Sequence, residues 1–350
     1  MKIFVTGGCG FLGSHICTTG LKRGWTPVAF DNLTKFEYSR TGYNTEEVRN
    51  YNLRLLEKAN VKVVVGDITD KKQVLAAIEE YGPFDLIAHC AAQPAMTIAI
   101  DEPRLDIETN VLGTFNVLQI AKKYEIPLVN CSTIHVYGNG LNNYLVEKPS
   151  RLAHKIYGAI PEAHPLLNGT LTPLHASKRS AELYTETFAQ TYGLKAANFR
   201  LTGIYGPRQF GGEDHGWVAN FAIRAITGSP IKVFGTDMQV RDILSVHDAA
   251  NAFYSWYKAC CPPGTYNICG GRGNAISIRE VLKHYEEYLN RPVVKSLEPA
   301  RAGDLWWFVG SWHKAWKAFG WTPTIVPKDG LDELMDWVLQ EKHLFGGSEK

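Results

Sequence analysis

Long apolar runs are missing from this chain of 350 residues. Its hydrophobic stretches are of strand length, far short of the ~20 residues that a membrane-spanning helix needs. The chain enters a strand at Met1 with no leader pattern, so the expected compartment is the cytoplasm, with no membrane partner. Dense runs of lysine and arginine are missing as well, and the formal net charge is only +2. Nucleic acid is therefore not expected as a partner, although a local phosphate site stays open. The seven cysteines, at 9, 17, 90, 131, 260, 261 and 269, never take a CxxC spacing, and several sit inside apolar runs such as "LIAHCAA". They are expected as reduced, buried thiols. No His/Cys cluster has ligand spacing, so no metal is expected. Repeats and low-complexity segments are absent too, which leaves one large domain or two lobes sharing a cleft.

What is present is an ordinary globular composition, 45% apolar and 21% charged, arranged in a strict alternation. Short apolar runs ("KIFVTG", "TPVAFD", "VKVVVGD", "FDLIAHCAA", "IPLVNCS", "LKAANFRL") are separated by helical patterns at about 11–22, 45–59, 70–80, 104–124 and 176–192. Strand–helix alternation of this kind predicts an α/β fold, a doubly wound parallel sheet (Rossmann) with helices on both faces. Beyond Gly203 the regularity decays, and helices near 216–227, 247–258 and 277–289 mix with short strands. The expected division is a dinucleotide-binding domain of residues 1–202 and 239–262, with a smaller mixed substrate lobe of 203–238 and 263–345.

"IFVTGGCGFLGSH" sets glycines at 7, 10 and 13 between a strand and a helix that starts at Phe11. Gly7 allows a tight turn, Gly10 lets backbone approach a pyrophosphate, and Gly13 lets helix pack on strand; the helix N-terminus offers N–H groups to phosphate. The triplet alone also fits a plain tight turn. The second strand ends in Asp31, followed by Asn32. A carboxylate there accepts from the adenosine ribose hydroxyls and repels a 2′-phosphate, which favours NAD over NADP; nearby Lys35 is the contrary sign. Asp67 and Ile68 end the third strand, where adenine would sit, although Asp67 would equally serve as a helix cap. "HCAAQPA" supplies Ala91, Ala92 and Gln93 for close backbone approach to the cofactor.

With these residues in place, the chain resembles the extended short-chain dehydrogenase/reductase family, in particular its nucleotide-sugar epimerases and dehydratases. The resemblance runs through Thr6–Gly13, Asp31–Asn32, "NVLGTFNVL", "STIHVYG", "GIYGPRQ", "VRDILSVHDAA" and "PARAGDLWWF", in order along essentially the whole chain. "AAQPAMTIAIDEP", "HGWVANF" and "MQVRDIL" bring it nearest to members acting at C2. The resemblance implies bound NAD, also touched by Phe11, Leu12, Ser132, Lys178 and Leu201. It implies a sugar carbon oxidised and then reduced from the opposite face, and a homodimer through the helices at 104–124 and 176–192. Gln93, Met96 and Thr97 would face the sugar, and Arg241 and Arg301 would hold a diphosphate with planar forks of donors. Read without the resemblance, the two arginines fit surface ion pairs with Asp242 or Asp304 equally well. Phe210 and Trp217 would enclose the base or simply fill core.

The family's Tyr-x-x-x-Lys pair and Ser/Thr hydroxyl carry over as Lys178 and Thr133, but the tyrosine position is Leu174. Leucine has no proton to exchange. Four readings follow: a replacement base, with His175 first and His135, Tyr157 and His164 behind it; an elimination or decarboxylation needing less of the tyrosine; a binding protein without turnover; or an engineered leucine. The first is preferred, because Lys178, Thr133 and both arginines are retained.

Overall fold

The computed structural model describes residues 1–34, 41, 43 and 45–346, and Lys35 lies outside them. Chain order begins β1 (Lys2–Thr6), α1 (Phe11–Lys22), β2 (Thr26–Asp31), α2 (Thr45–Lys58), β3 (Lys62–Val65), α3 (Lys71–Tyr81) and β4 (Leu86–His89). It continues with α4 (Met96–Asp101), α5 (Pro103–Ile107), α6 (Thr114–Lys123), β5 (Leu128–Thr133) and α7 (Pro173–Tyr192). Strands Ala196–Leu201 and Gly264–Ile268 complete a seven-stranded sheet, with β3, β2, β1, β4 and β5 leading to them across it. Every pairing in that sheet is parallel. The strand order reverses between β1 and β4, and ligands of doubly wound sheets bind at the carboxyl ends of strands at such a point.

The apolar runs form central strands because both sheet faces are covered. Ile3, Val5, Ala29, Leu86 and Ala88 belong to a cluster with Ile16, Phe253 and Trp256, while Phe4, Phe30 and Ile87 belong to a second with Ile78, Val117 and Leu118. A helix over Val246–Lys258 lies against α1, and its Tyr254 hydroxyl donates to the Ile16 carbonyl at 2.7 Å.

Two expectations need correction. Gly264–Ile268, expected in the substrate lobe, is the edge strand of the central sheet, paired with Ala196–Leu201. Its inward Tyr266 and Ile268 complete the core beside Phe199, and the helix His313–Phe319 covers that edge with Phe319 stacked 5.9 Å from Phe199. The helix expected over 104–124 is broken into α5, a π-helical stretch Glu108–Gly113 and α6. The break is held by Asn110, whose amide donates to Asp106, to the Gln93 carbonyl and to Ser177. Gly113 faces Ile68 so closely that a Cβ would stand 2.6 Å from its Cδ1.

Helix α7 begins three residues earlier than the sequence pattern suggests. Thr172 is its N-cap, Pro173 fills the first turn, and His175 replaces the usual Glu or Gln as reciprocal partner in a capping box. The C-terminal lobe contains α8 (Trp217–Thr227) and a three-stranded sheet in which Val240–Asp242, expected in the dinucleotide-binding domain, pairs instead between Ala275–Ser277 and Trp307–Phe308. No described helix is long and apolar enough to cross a membrane.

Candidate functional site

A cleft of about 810 Å³ opens over the carboxyl ends of β1, β2, β4 and β5 and is walled by the C-terminal lobe. That volume is at the upper end for single-ligand pockets, as a site for two ligands requires. Gly7, Gly10, Phe11, Leu12, Gly13, Asp31, Asn32, Asp67, Ile68, Ala91, Ala92, Gln93, Ser132, Thr133, Lys178 and Leu201 all line it. So do Met96, Thr97, Arg241 and Arg301.

The dinucleotide end is built by backbone proximity. Gly7 has φ +66°, and a Cβ on it would stand 2.7 Å from the Ala91 nitrogen. A Cβ on Gly13 would stand 2.2 Å from the Gly7 carbonyl oxygen. Asp31 accepts from Cys9 N at 2.9 Å and Leu33 N at 2.8 Å. A carboxylate has about four lone-pair sites, so acceptors remain for ribose hydroxyls. Asn32 donates to Asp67 at 2.9 Å. Asp67 also accepts from Thr69, and these bonds overcome its partial burial and hold its carboxyl below the ordinary range. The cap of α3 is Asp70, not Asp67.

At the reactive end, Lys178 donates to the Cys131 carbonyl at 3.0 Å, which leaves two of its three N–H groups. Burial pulls its pKa down, while Cys131, Asp106, Cys90 and Glu182 push it back up. Thr133 Oγ1 accepts from His135 N at 3.2 Å, so its own proton is left to donate. Leu174, one turn before Lys178, lines the cleft with an apolar face.

Several expected side chains are spent elsewhere. His175 does not border the cleft: its ring is fully buried, and Nδ1 receives the Thr172 N–H at 3.1 Å with Thr172 Oγ1 at 2.7 Å. Capping α7 is what turns it away. Tyr157 and His164 face each other at 5.3 Å and do not border the cleft either. Gln93 uses its amide on Ala95 and Asp106, bracing the turn after β4, and so offers the cleft little beyond backbone. Ser132 turns its hydroxyl to Glu182 at 2.7 Å. Phe210 packs against Trp337 at 5.3 Å in the core, and both it and Trp217 border the cleft.

The lobe supplies cations. Arg241 donates to the carbonyls of Val240 and Leu305, and its pKa is lowered to about 10 by burial against the pull of Asp304 and Asp242. Strand alternation sends Asp242 to the other face, where it accepts from Thr202 at 2.6 Å and Gly310 N at 2.7 Å. Arg301 lies 3.7 Å over the Phe234 ring and donates to the Glu213 carbonyl. Phe234, Lys232, Glu213 and Asp304 also border the cleft. None of these four stands out as a site residue in the sequence, although the alternation in "IKVF" was a signal for the first two.

Sheet order, glycine turn and Asp31 define a dinucleotide-binding protein, with Thr133 and Lys178 bordering the same cleft. Residues 3–269 match the NAD dependent epimerase/dehydratase family. The CDP-paratose 2-epimerase of Salmonella typhi is 32% identical over 349 residues, covering 96% of this chain and 99% of that one. The chain belongs to this family, and its cofactor is NAD. A putative UDP-glucose 4-epimerase of Methanocaldococcus jannaschii is 26% identical, covering 96% of this chain and 98% of its own. The solved UDP-glucose 4-epimerase of Thermus thermophilus, in complex with NAD, superposes with a TM-score of 0.75 at 32% identity, covering 96% of this chain and 98% of that one.

Proposed function

We propose that the protein is a nucleotide-sugar epimerase acting at C2 of a CDP- or UDP-hexose, with proton handling by a group other than tyrosine. The observation that carries this reading is the single cleft shared by Asp31, Lys178, Thr133, Arg241 and Arg301. NAD bound there supplies reversible hydride acceptance from a hydroxyl-bearing carbon. Lys178 holds the nicotinamide ribose with its two remaining N–H groups, and Thr133 gives its hydroxyl proton as a hydrogen bond to the sugar oxygen. Arg241 and Arg301 hold the diphosphate. The CDP-paratose 2-epimerase relative supports the choice of carbon and base. The exposed Ile107, Leu112 and Leu183 of the α5–α7 region support closure of a homodimer there, which a sedimentation mass tests.

Leu174 favours a second reading, a protein that binds NAD and nucleotide sugar without turnover; the family also includes dehydratases, which gives a third. The NAD-loaded protein is incubated with CDP- and UDP-hexoses deuterated at C2, and the sugars are followed by NMR. Inversion at C2 with the deuterium kept is the expected result, and a deoxy-keto product identifies a dehydratase. Leu174→Tyr is expected to gain far less than the ~10²-fold or more that restoring a missing acid–base group gives. A silent wild type woken strongly by that substitution would defeat the proposal.

A further inference from the structure

Two buried imidazole nitrogens next to the cleft have no hydrogen-bond partner, Nδ1 of His135 and Nε2 of His175. Their rings stand edge to face, 5.8 Å apart at 90°. The proton on His175 is fixed by its surroundings. Thr172 N–H donates to Nδ1, which makes Nδ1 an acceptor, so the Thr172 hydroxyl 2.7 Å away can only donate to it. A neutral His175 therefore carries its proton on Nε2, a donor without an acceptor. Beside it His135 Nδ1 is likewise buried and unpartnered.

His135 borders the cleft together with Thr133, Leu174 and Lys178. With Nδ1 turned inward, Nε2 is the nitrogen left to a ligand. We propose that His135 is a catalytic hydrogen-bond donor, a neutral imidazole presenting its Nε2 proton to the sugar oxygen on the reacting carbon, with His175 behind it as the positioning residue that sets the tautomer. This rests on the nucleotide-sugar reading of the site. No proton leaves His135: the sugar hydroxyl proton passes to water in the open cleft and returns from it, and the N–H steadies the alkoxide oxygen that precedes hydride loss and follows hydride return, a role a neutral imidazole fills.

The surroundings keep the ring neutral. Burial, then the neighbouring His175 and then the Arg241 guanidinium lower the His135 pKa to about 3. His175 is in turn held under the loop that carries Arg301 and Asp304, where a Cβ on Gly303 would stand 3.4 Å from its Cε1. The loop that grips the diphosphate thus rests on the ring that orients His135. Leu174 gives no hydrogen bond on this wall, so His135 and Thr133 take over the donor duty that the family's tyrosine would share.

The test uses NAD-loaded wild-type protein labelled with ¹⁵N-histidine, and it needs no turnover. Long-range ¹H–¹⁵N correlations should show His135 neutral with its proton on Nε2, and CDP-glucose or UDP-glucose should shift that proton where CDP or UDP does not. A proton on Nδ1, a charged ring at neutral pH, or equal shifts from the bare nucleotides would overturn the proposal. In kinetics, His135→Ala should lower kcat about 100-fold, the cost of losing one such donor, with KM and NAD content nearly unchanged. His135→Gln, which returns an N–H near the Nε2 position, should recover part of the loss. His175→Gln retains a capping partner but loses the donor, so His135 should then show mixed tautomers. An unchanged kcat in His135→Ala sinks the idea. A wild type that turns over no nucleotide sugar defeats the epimerase reading instead, and the sugar-dependent shift still decides the role of His135.

Discussion

Gly13→Ala is expected to purify without NAD and to bind added NAD about 100-fold more weakly, because a displacement near 1 Å in a positioned site costs that much. The methyl would stand 2.2 Å from the Gly7 carbonyl oxygen and 2.9 Å from the Gly7 carbonyl carbon and the Gly8 Cα, all of them backbone. No side chain can move aside. Helix α1 must back away from β1, taking the amides of its first turn with it, and those amides are what the pyrophosphate needs. Overpacking of this kind also costs about 1–3 kcal/mol of stability. Gly24→Ala is the control: its φ is +74°, but nothing lies within 4 Å of the added carbon. It should lose a little stability through backbone strain and keep its NAD. Fluorescence titration with NAD and urea unfolding of both variants measure the two effects. Wild-type affinity in Gly13→Ala would mean that the pyrophosphate does not rest on this turn.

The cofactor half of the site was legible because its requirements are local. Gly7, Gly10, Gly13 and Asp31 act through backbone shape and strand-end position, and both repeat along the sequence at fixed offsets. The placing of Lys178 and Thr133 on the cleft was legible for the same reason, each fixed by the register of one helix or one strand. What the sequence could not show is how side chains share hydrogen bonds across long separations. Gln93 reads as a sugar-facing amide until Asp106 and Ala95 are seen to occupy it. His175 reads as a base one residue from the vacant tyrosine position, and only the cap with Thr172 shows why it turns inward. His135 ranked behind His175 on sequence, and it lies in a 3-10 turn over Ile134–Tyr137 just past the strand that carries Thr133. That turn still brings it to the cleft. The sheet's last strand was assigned to the other lobe because Gly264–Ile268 follows an irregular stretch, and its partner is about 70 residues away in sequence rather than the next element.

Glu182→Ala is expected to lose about 3–5 kcal/mol of folding stability, the usual cost of stranding one half of a buried ion pair. The Glu182 side chain is 0% exposed and that of Arg200 3%, and they meet through bonds of 2.8 and 2.9 Å. Burial alone would weaken the hold of Arg200 on its proton, but Glu182 and Tyr137 more than reverse that. The pair spans three parts of the fold. Glu182 belongs to α7 and also accepts from Ser132 at the end of β5, while Arg200 lies in the strand Ala196–Leu201 and reaches the Tyr137 hydroxyl and the Glu162 carbonyl. Without the carboxylate, the Arg200 guanidinium keeps only the neutral Tyr137 hydroxyl and Glu162 carbonyl, Arg179 loses a partner, and the Ser132 hydroxyl has nothing to receive it, in a domain worth only about 5–15 kcal/mol in total. Glu182→Gln keeps an acceptor and should lose less than the alanine. The double substitution Glu182→Met with Arg200→Leu should recover most of the loss, because replacing both charges by well-packed apolar groups removes the desolvation cost. Urea midpoints for the three variants, taken with and without saturating NAD, settle the matter. If the alanine variant unfolds within about 1 kcal/mol of wild type, within the range of an exposed pair, the pair is not what fastens α7 to the sheet. Lys178, one turn before Glu182 on the same helix, would then have to be held in register by Ser177 and the Asn110 network alone.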